Sequence, residues 1–205
     1  LGRLGFLADL KPVDLLRRLD DLASRRFTID NLMTLSCSLS RPNEDTRVFR
    51  GLNEVVLRSA PSFHVLEVRV AIDGESVITY RGDGLIVATP VGSTAHSLSA
   101  GGPILPHDTH AFVITPICAH TLTQRPLVDG HQKVYELTPI MGEGGALLVV
   151  DGQIQIPLKE NDAVTVRRGE TPFPMVRLPG HSFYRTLRDK LGWGVAPGDN
   201  ASDRS

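Results

Sequence analysis

The sequence predicts a mixed α/β chain that is mainly antiparallel β-sheet, with a helix near each end. Apolar residues alternate with polar ones in the middle of the chain, as they do in strands with one buried face. Two Asp-Gly pairs, Asp73-Gly74 and Asp151-Gly152, lie between apolar segments and predict tight hairpin turns. Near both ends the apolar residues recur at helical spacing instead.

The first helix is predicted to begin at Pro12, since proline is favoured in a first helical turn. One amphipathic helix then follows from the spacing of Leu15, Leu16, Leu19, Leu22 and Ala23. After Phe27 apolar and polar residues alternate. This pattern predicts two apolar strand faces, one formed by Met33, Leu35, Cys37 and Leu39 and the other by Leu66, Val68, Val70 and Ile72. The last helix is predicted over residues 181–193, through Phe183, Leu187 and Leu191, and we expect the tail from Gly194 to fray.

Composition excludes several classes of protein. With 205 residues and 41% hydrophobic content, the chain can bury one substantial core. Its 22 basic and 23 acidic residues give a net charge of -1, which argues against a broad nucleic-acid surface. No apolar stretch is long enough to cross a membrane and no signal peptide is recognisable, so we expect a cytoplasmic protein with no membrane partner.

Cysteine is scarce. Cys37 and Cys118 are the two cysteines of the sequence, which excludes a disulfide scaffold or a cysteine-rich zinc site. Both thiols are expected to be reduced and buried.

Residues 82–103 form the most informative segment. Leu85 to Val87 predict a buried strand, Pro90 and Gly92 stop it, and Ser93 and Thr94 are residue types that cap the start of a helix. The run from Gly101 to Pro103 then ends that helix.

This strand-to-helix corner has two interpretations. Unpaired N–H groups at a helix start attract phosphates, carboxamides and ribose hydroxyls, and small residues from Ala95 onward let a ligand approach the backbone. An ordinary capped helix packed on a sheet fits equally well. The residues alone favour neither interpretation.

At this point the chain resembles the NAD kinases. Their most recognisable segment matches residues 82–103 except at Val91 and His96. Further agreement covers Leu4 to Leu7, Leu52 to Val56, residues 115–122 and 125–128, and Asp151 to Gln153. The resemblance therefore runs in order from Leu1 to about Trp193.

The resemblance implies an antiparallel β-sandwich-like NAD-binding domain over residues 26–172, with remnants of an N-terminal α/β domain. Residues 1–25 would be one remnant, and residues 173–205 would return to that domain. Members of the family carry a Gly-Gly-Asp-Gly-Thr loop upstream of the Leu4 segment, and its aspartate is regarded as the general base. Because the sequence opens at Leu1, past that loop, we expect a fragment that is inactive alone and prone to association.

The implied reaction transfers the γ-phosphoryl group of ATP to the adenosine 2'-hydroxyl of NAD, giving NADP. The resemblance implies NAD and ATP as partners, a divalent metal ion such as Mg²⁺ with the ATP, and a homo-oligomer, either dimer or tetramer. The sequence has no Gly-x-x-x-x-Gly-Lys-Ser/Thr loop, so ATP must be held by another architecture.

Each candidate site residue also has an ordinary structural interpretation. Asn53 and Glu54 interrupt an apolar segment and need partners if buried, whether backbone or NAD. Asp83 is a turn residue or a nucleotide contact, and Arg81, on the same strand face, would pair with Asp83 or with a phosphate.

Three residues of the helix are candidates for the same site. Thr94 would cap the helix or hold a ribose hydroxyl, and His96 replaces a tyrosine that could stack on a base. Ser99 would lie on the same side of the helix as His96.

Together, the NAD-binding residues implied by the resemblance are Asn53, Glu54, His64, Arg81, Asp83, Thr94, Ala95, His96, Ser97, Leu98, Ser99, Cys118 and Gln153, with Phe6 as a further candidate. No catalytic residue or metal ligand is assigned within the chain.

Two other functions stay open from the residues. One is a dinucleotide-binding module without catalysis. The other is a serine hydrolase using Ser93, His96 or His120 and an aspartate, although the chain lacks a Gly-x-Ser-x-Gly elbow and Ser93 and His96 lie in one short helix.

Overall fold

The computed structural model describes residues 7, 10, 12–60, 65–121, 123–140, 142, 144–180 and 182–192. The chain divides into two compact units. One unit is Asn31–Phe173, and the other consists of the described parts of Leu1–Asp30 and Pro174–Ser205. The candidate functional site lies in the first.

Two six-stranded antiparallel sheets build most of the described chain, which confirms the predicted fold class. The first sheet has the order β3-β2-β13-β10-β5-β6, and the second has the order β12-β11-β4-β7-β8-β9. A separate two-stranded sheet pairs β1, Thr28–Leu32, with β14, Phe173–Arg177.

The strand bounds are as follows. The first sheet contains β2 Leu35–Ser40, β3 Arg47–Gly51, β5 Leu66–Ile72, β6 Glu75–Gly82, β10 Tyr135–Ile140 and β13 Ala163–Arg168. The second contains β4 Glu54–Ser59, β7 Gly84–Ala88, β8 Ala111–Ile117, β9 Leu127–Gly130, β11 Ala146–Val150 and β12 Ile154–Leu158.

The main hydrophobic core lies between these sheets. Inward side chains from β2, β5, β10 and β13 meet those from β4, β7, β8 and β11. Both predicted strand faces join this core: Met33, Leu35, Cys37, Leu39, Leu66, Val68 and Val70 are buried, and Ile72 packs against the cluster. Phe112 of the second sheet meets Tyr135 of the first edge to face, with ring centroids 5.5 Å apart. This ring pair ties the two sheets together at the centre of the core.

A second, smaller cluster covers the outer face of the second sheet. It contains Val56, Ile86, Ala88, Val113 and Val149, with Ala100 and Leu105 packed on it. Strand β7 is therefore buried on both faces, as the apolar run Leu85 to Val87 predicts.

Both predicted Asp-Gly hairpins are confirmed. Ile72 pairs with Glu75, so Asp73-Gly74 forms a two-residue loop with φ angles of 51° and 81°. Val150 pairs with Ile154, and Asp151 and Gly152 turn there with φ angles of 49° and 69°. Positive φ at both positions is the backbone geometry that an Asp-Gly pair tolerates.

The N-terminal helix differs from the prediction. Instead of one helix there are two short ones, α1 Pro12–Arg17 and α2 Leu19–Ala23. The break falls at Arg18, whose N–H bonds the Leu15 carbonyl three residues back and whose guanidinium binds Asp21 and the Pro179 carbonyl. The contact with Pro179, 161 residues away, is one that the helical periodicity of the leucines cannot predict.

The remaining helices are α3, His96–Ser99, and α4, Phe183–Leu191. A single 3-10 turn, Gly92–Thr94, precedes α3. Helix α4 confirms the predicted C-terminal helix, with Ser182 capping its start, Leu187 buried and Gly192 in a left-handed conformation at its end. No helix in the described part of the chain is both long and apolar enough to cross a bilayer.

The two cysteines have different environments. Cys37 is buried in the core, where desolvation raises the pKa of its thiol to about 12. Cys118 is exposed, so the expectation that both thiols are buried is wrong for this residue. It lies past the end of β8 with a φ of 47°, where the chain leaves the sheet.

We predict that Phe112→Ala lowers the free energy of unfolding by about 3 to 5 kcal/mol, because it removes a fully buried ring and its edge-to-face partner. Phe173→Ala is the matched control, since that ring is 43% exposed. Urea denaturation of both variants measures the difference, and equal losses would contradict the position of Phe112 at the centre of the core.

Candidate active site

Strand β4 presents three side chains on the outer face of the second sheet. Val55 and Leu57 point into the main core, whereas Val56 belongs to the outer cluster. By strand alternation Glu54, Val56 and Arg58 share the outer face. The site is built around this row of side chains. It lies at the edge of the segment after β7, which covers the outer face of this sheet.

The Asn53-Glu54 pair is held by a residue far along the chain. The Asp151 carboxylate accepts N–H bonds from Leu52 at 2.7 Å, Asn53 at 2.8 Å and Glu54 at 3.0 Å. In return the Asp151 N–H donates to the Glu54 carbonyl at 3.0 Å. We call these four bonds the Asp151 clamp, and they fix the backbone that presents Asn53 and Glu54.

Thr89 holds the same turn from the other side. Its hydroxyl donates to the Leu52 carbonyl at 2.6 Å, and its N–H donates to the Asn53 carbonyl at 2.9 Å. The backbone at Asn53 is therefore bound from both β11 and the end of β7.

The Glu54 side chain is only 6% exposed. Its carboxylate accepts the N–H of His96, while its Oε2 atom has no hydrogen-bond partner among the described residues. Burial and the neighbouring Asp151 carboxylate raise the pKa of Glu54 to about 7, against the His96 bond, which lowers it. A buried acceptor without a partner costs free energy, so this atom marks a place where a ligand donor would fit.

The turn after β7 differs from the prediction. Ser93 and Thr94 do not cap a helix, because α3 begins only after Ala95, and the Thr94 hydroxyl donates to the Val91 carbonyl at 3.0 Å. Ser93 instead ties two segments together: its hydroxyl donates to the Pro90 carbonyl at 2.6 Å and accepts the Leu105 N–H at 2.9 Å. Local backbone carbonyls and the Leu105 N–H therefore occupy the hydroxyls that a cap would need.

The turn after β7 does not present a set of unpaired backbone N–H groups either. The N–H groups of Ser93 and Ala95 donate to the Thr89 and Gly92 carbonyls, and that of His96 goes to Glu54. The prediction of unpaired N–H groups is wrong for these positions, since the turn and Glu54 already accept them.

Two glycines set how closely this segment approaches the sheet. A Cβ on Gly92 would lie 2.0 Å from the Asn53 carbonyl oxygen. A Cβ on Gly102 would lie 2.3 Å from the Ser97 hydroxyl, which itself shares a 2.8 Å hydrogen bond with Thr115 of β8. Close backbone contact, rather than a helix dipole, is what requires small residues here.

Helix α3 is only one turn long, and its residues differ in exposure. Ser97 is buried, Ala95 and Leu98 are half-buried, and His96 and Ser99 are exposed. Burial and the charge of Arg58 lower the pKa of His96. The neutral form of the imidazole is therefore favoured near pH 7.

A second group of predicted residues lies at the start of β7. Asp83 is exposed between β6 and β7, and its carboxylate binds the Cys118 thiol, a hydrogen bond that raises the pKa of the thiol. The Asp83 main chain is held by the Ile117 carbonyl and by the Ser59 N–H. Gly82 and Gly84 flank it because a Cβ at either would contact backbone, at 2.6 Å and 2.4 Å.

Arg81 does not pair with Asp83 as predicted. Its guanidinium binds Glu67 of β5 at 3.1 Å, across the first sheet. The buried Gln124 side chain accepts the Arg81 N–H and donates to the Thr79 carbonyl at 2.9 Å.

The structure thus places the predicted residues in two groups. Asn53, Glu54 and the turn from Thr94 to His96 gather at the end of β7, whereas Asp83 and Cys118 lie at its start. Five strand residues separate the groups, a span of about 17 Å. Gln153 is exposed in the hairpin beside Asp151, and Phe6 and His64 lie outside the described residues.

Sequence reasoning missed Asp151, Thr89, Arg58 and Gln124 as parts of the site. An aspartate in an Asp-Gly hairpin looks like an ordinary turn residue, and its partner Asn53 is 98 positions away. The polar character of Thr89, next to an apolar strand, was the one available signal.

The geometry does not assemble a serine nucleophile. The Ser93 hydroxyl is fully buried and donates to a backbone carbonyl, so it is neither accessible nor bonded to a histidine. This weighs against the hydrolase alternative.

Fold and site together define a β-sandwich domain whose candidate site residues lie around β4 and β7 of one sheet. A family model for the ATP-NAD kinase C-terminal domain matches residues 52–178. The chain is 47% identical to an NAD kinase of Rhodopirellula baltica over 192 residues, and 39% identical to one of Acinetobacter baylyi. Each alignment covers 94% of this chain but 62% of the relative's length.

Solved structures agree with this assignment. A yeast NADH kinase complexed with NADH superposes with a TM-score of 0.88 at 30% identity, covering 96% of this chain and 58% of the yeast chain. An NAD kinase from Archaeoglobus fulgidus in complex with ATP superposes with a TM-score of 0.77 at 27% identity, covering 93% and 71%. The chain belongs to the NAD kinase family.

We predict that Gly92→Ala destabilises the fold by about 1 to 3 kcal/mol, because the added methyl group must displace the Asn53 backbone. Gly130→Ala is the control, since a Cβ there meets nothing within 4 Å. Thermal unfolding and amide NMR spectra of both variants provide the measurement. A Gly92→Ala protein with unshifted Asn53 and Glu54 amides would contradict this close contact.

Proposed function

We propose that this chain is part of an NAD kinase, which transfers the γ-phosphoryl group of ATP to the adenosine 2'-hydroxyl of NAD. The observation that carries the proposal is the Asn53-Glu54 pair, held by the Asp151 clamp with an unpartnered, buried Glu54 oxygen. Family membership supports it, as do the solved relatives, one complexed with NADH and one with ATP.

The spacing of the two residue groups suits a dinucleotide. Glu54 and Asn53 would bind donors of one nucleoside half, such as ribose hydroxyls. The exposed Asp83 carboxylate, about 17 Å away, would accept hydrogen bonds from the carboxamide or amino group of the other half. Arg58, exposed on the same face of β4 and opposite Gly84 in register, would favour a phosphate of the ligand near the Asp83 end.

Within the described residues the remaining candidates are Arg81, Thr94, Ala95, His96, Ser97, Leu98, Ser99, Cys118 and Gln153. Of these, His96 and Ser99 are exposed and available to a ligand, whereas the buried Ser97 hydroxyl is bound to Thr115. Phe6 and His64 stay candidates from the sequence. We also propose residues 26–172 as the NAD-binding domain, a cytoplasmic location and a homo-oligomer.

No residue described here is assigned as the general base. A divalent metal ion such as Mg²⁺ would be held by the phosphates of ATP, whose charge it neutralises. Among the described residues no group of three His, Cys, Asp or Glu side chains could hold a metal ion. The contribution of these residues is to bind and orient NAD.

Calorimetry with NAD and a chromatographic assay for NADP in the presence of ATP and Mg²⁺ test the proposal. We expect NAD to bind the chain at the Asn53-Glu54 end. NAD binding without any NADP from the whole gene product would favour the non-catalytic binding module. Absence of NAD binding would contradict the proposed function.

We predict that Asp83→Ala weakens NAD binding at least tenfold, because a charged hydrogen bond to the nucleotide is lost. Asp108→Ala is the control, an exposed aspartate in the loop between α3 and β8. Calorimetry measures the dissociation constant of NAD for both variants. An unchanged constant for Asp83→Ala would show that Asp83 is not part of the site.

A further inference from the structure

The Asp151 clamp places two acidic side chains together. Val150 pairs with Val55 in the β4–β11 register, so Asp151 lies opposite Glu54 in the next position along the two strands. The N–H of Glu54 donates to the Asp151 carboxylate, and Asp151 returns a bond to the Glu54 carbonyl. Any movement of one residue therefore moves the other.

The charges around Glu54 are unbalanced. From the β11–β12 turn it is faced by the Asp151 carboxylate, and from α3 by His96, whose N–H it accepts. Arg58 follows four residues along β4 on the same face, opposite Gly84, and Ala88, the residue of β7 in register with Glu54, carries no charge. The one acceptor atom left over, Glu54 Oε2, is buried without a partner among the described residues.

An ionised Glu54 would thus put a second negative charge beside Asp151 in a desolvated position. A protonated Glu54 avoids that repulsion. Its Oε2 atom is then a weaker hydrogen-bond acceptor than it would be in a carboxylate. A ligand that brings an O–H or N–H donor to Oε2 reverses this balance, because it stabilises the ionised form.

We propose that dinucleotide binding at this site is coupled to loss of a proton from Glu54, and that Asp151 is a positioning residue that strengthens the coupling. This rests on the proposed function, since the ligand is taken to be NAD. The proton leaves the Glu54 carboxyl group for solvent as the ligand's donor takes its place. Asp151 acts through Glu54 and does not itself contact the ligand.

The direct test follows the ¹³C signal of the Glu54 carboxyl group during a pH titration of the chain without ligand. We expect a midpoint near pH 7, falling toward the ordinary value of 4.5 in Asp151→Asn, which removes the charge but keeps a side-chain acceptor. Asp73→Asn is the matched control, because Asp73 occupies the other Asp-Gly hairpin and its carboxylate also accepts a backbone N–H. It should leave the midpoint unchanged.

A purely structural role for Asp151 would lower stability without moving the Glu54 midpoint. An unmoved midpoint in a folded Asp151→Asn protein would therefore overturn the proposal. This measurement needs no NAD. Its result therefore tests the role of Asp151 even if the chain does not bind NAD.

Calorimetry of NAD binding in two buffers of different ionisation enthalpy measures the coupling itself. We expect release of about one proton per NAD at pH 6 and almost none at pH 8, with affinity rising about tenfold per pH unit below the midpoint. Glu54→Gln should abolish this proton release. This variant also tests the coupling if Asp151→Asn does not fold. Proton uptake, or an exchange that persists in Glu54→Gln, would overturn the coupling.

Discussion

The centre of the second sheet is covered on both faces, and the rest of the structure depends on this constraint. Strand β7 at its centre has no exposed residue, so its apolar side chains must find cover on the outer face as well as in the main core. The chain supplies that cover by turning back after β7. The turn lies so close to the sheet that Gly92 and Gly102 admit no side chain.

Covering the sheet also creates the site. Where the covering segment ends, polar groups of β4 are removed from water but not fully satisfied, and Glu54 is the clearest case. A protein tolerates such a group when another contact compensates for it, and here the Asp151 clamp fixes the surrounding backbone while a ligand would supply the missing donor. The same desolvation that destabilises Glu54 makes it responsive to a partner.

Family membership and geometry point to the same segments of the chain. The sequence match is strongest in residues 82–103, whose small residues allow the close packing. The clamp that orients Asn53 and Glu54 comes from Asp151, in another matched segment, and Thr89 of residues 82–103 holds the same turn. Candidate residues at both ends of β7, rather than in one compact pocket, would suit an elongated dinucleotide.

The sequence by itself determined the features that depend on local periodicity and turn chemistry: the antiparallel strands, the two Asp-Gly hairpins, the C-terminal helix, and the family. Tertiary structure decided what depends on residues distant in the chain. Arg18 binds the Pro179 carbonyl where the first helix breaks, Ser93 binds Leu105 instead of capping, and Arg81 pairs with Glu67. A hydroxyl, a guanidinium or a carboxylate accepts whichever partner the fold brings within 3 Å, and sequence spacing carries no information about that partner.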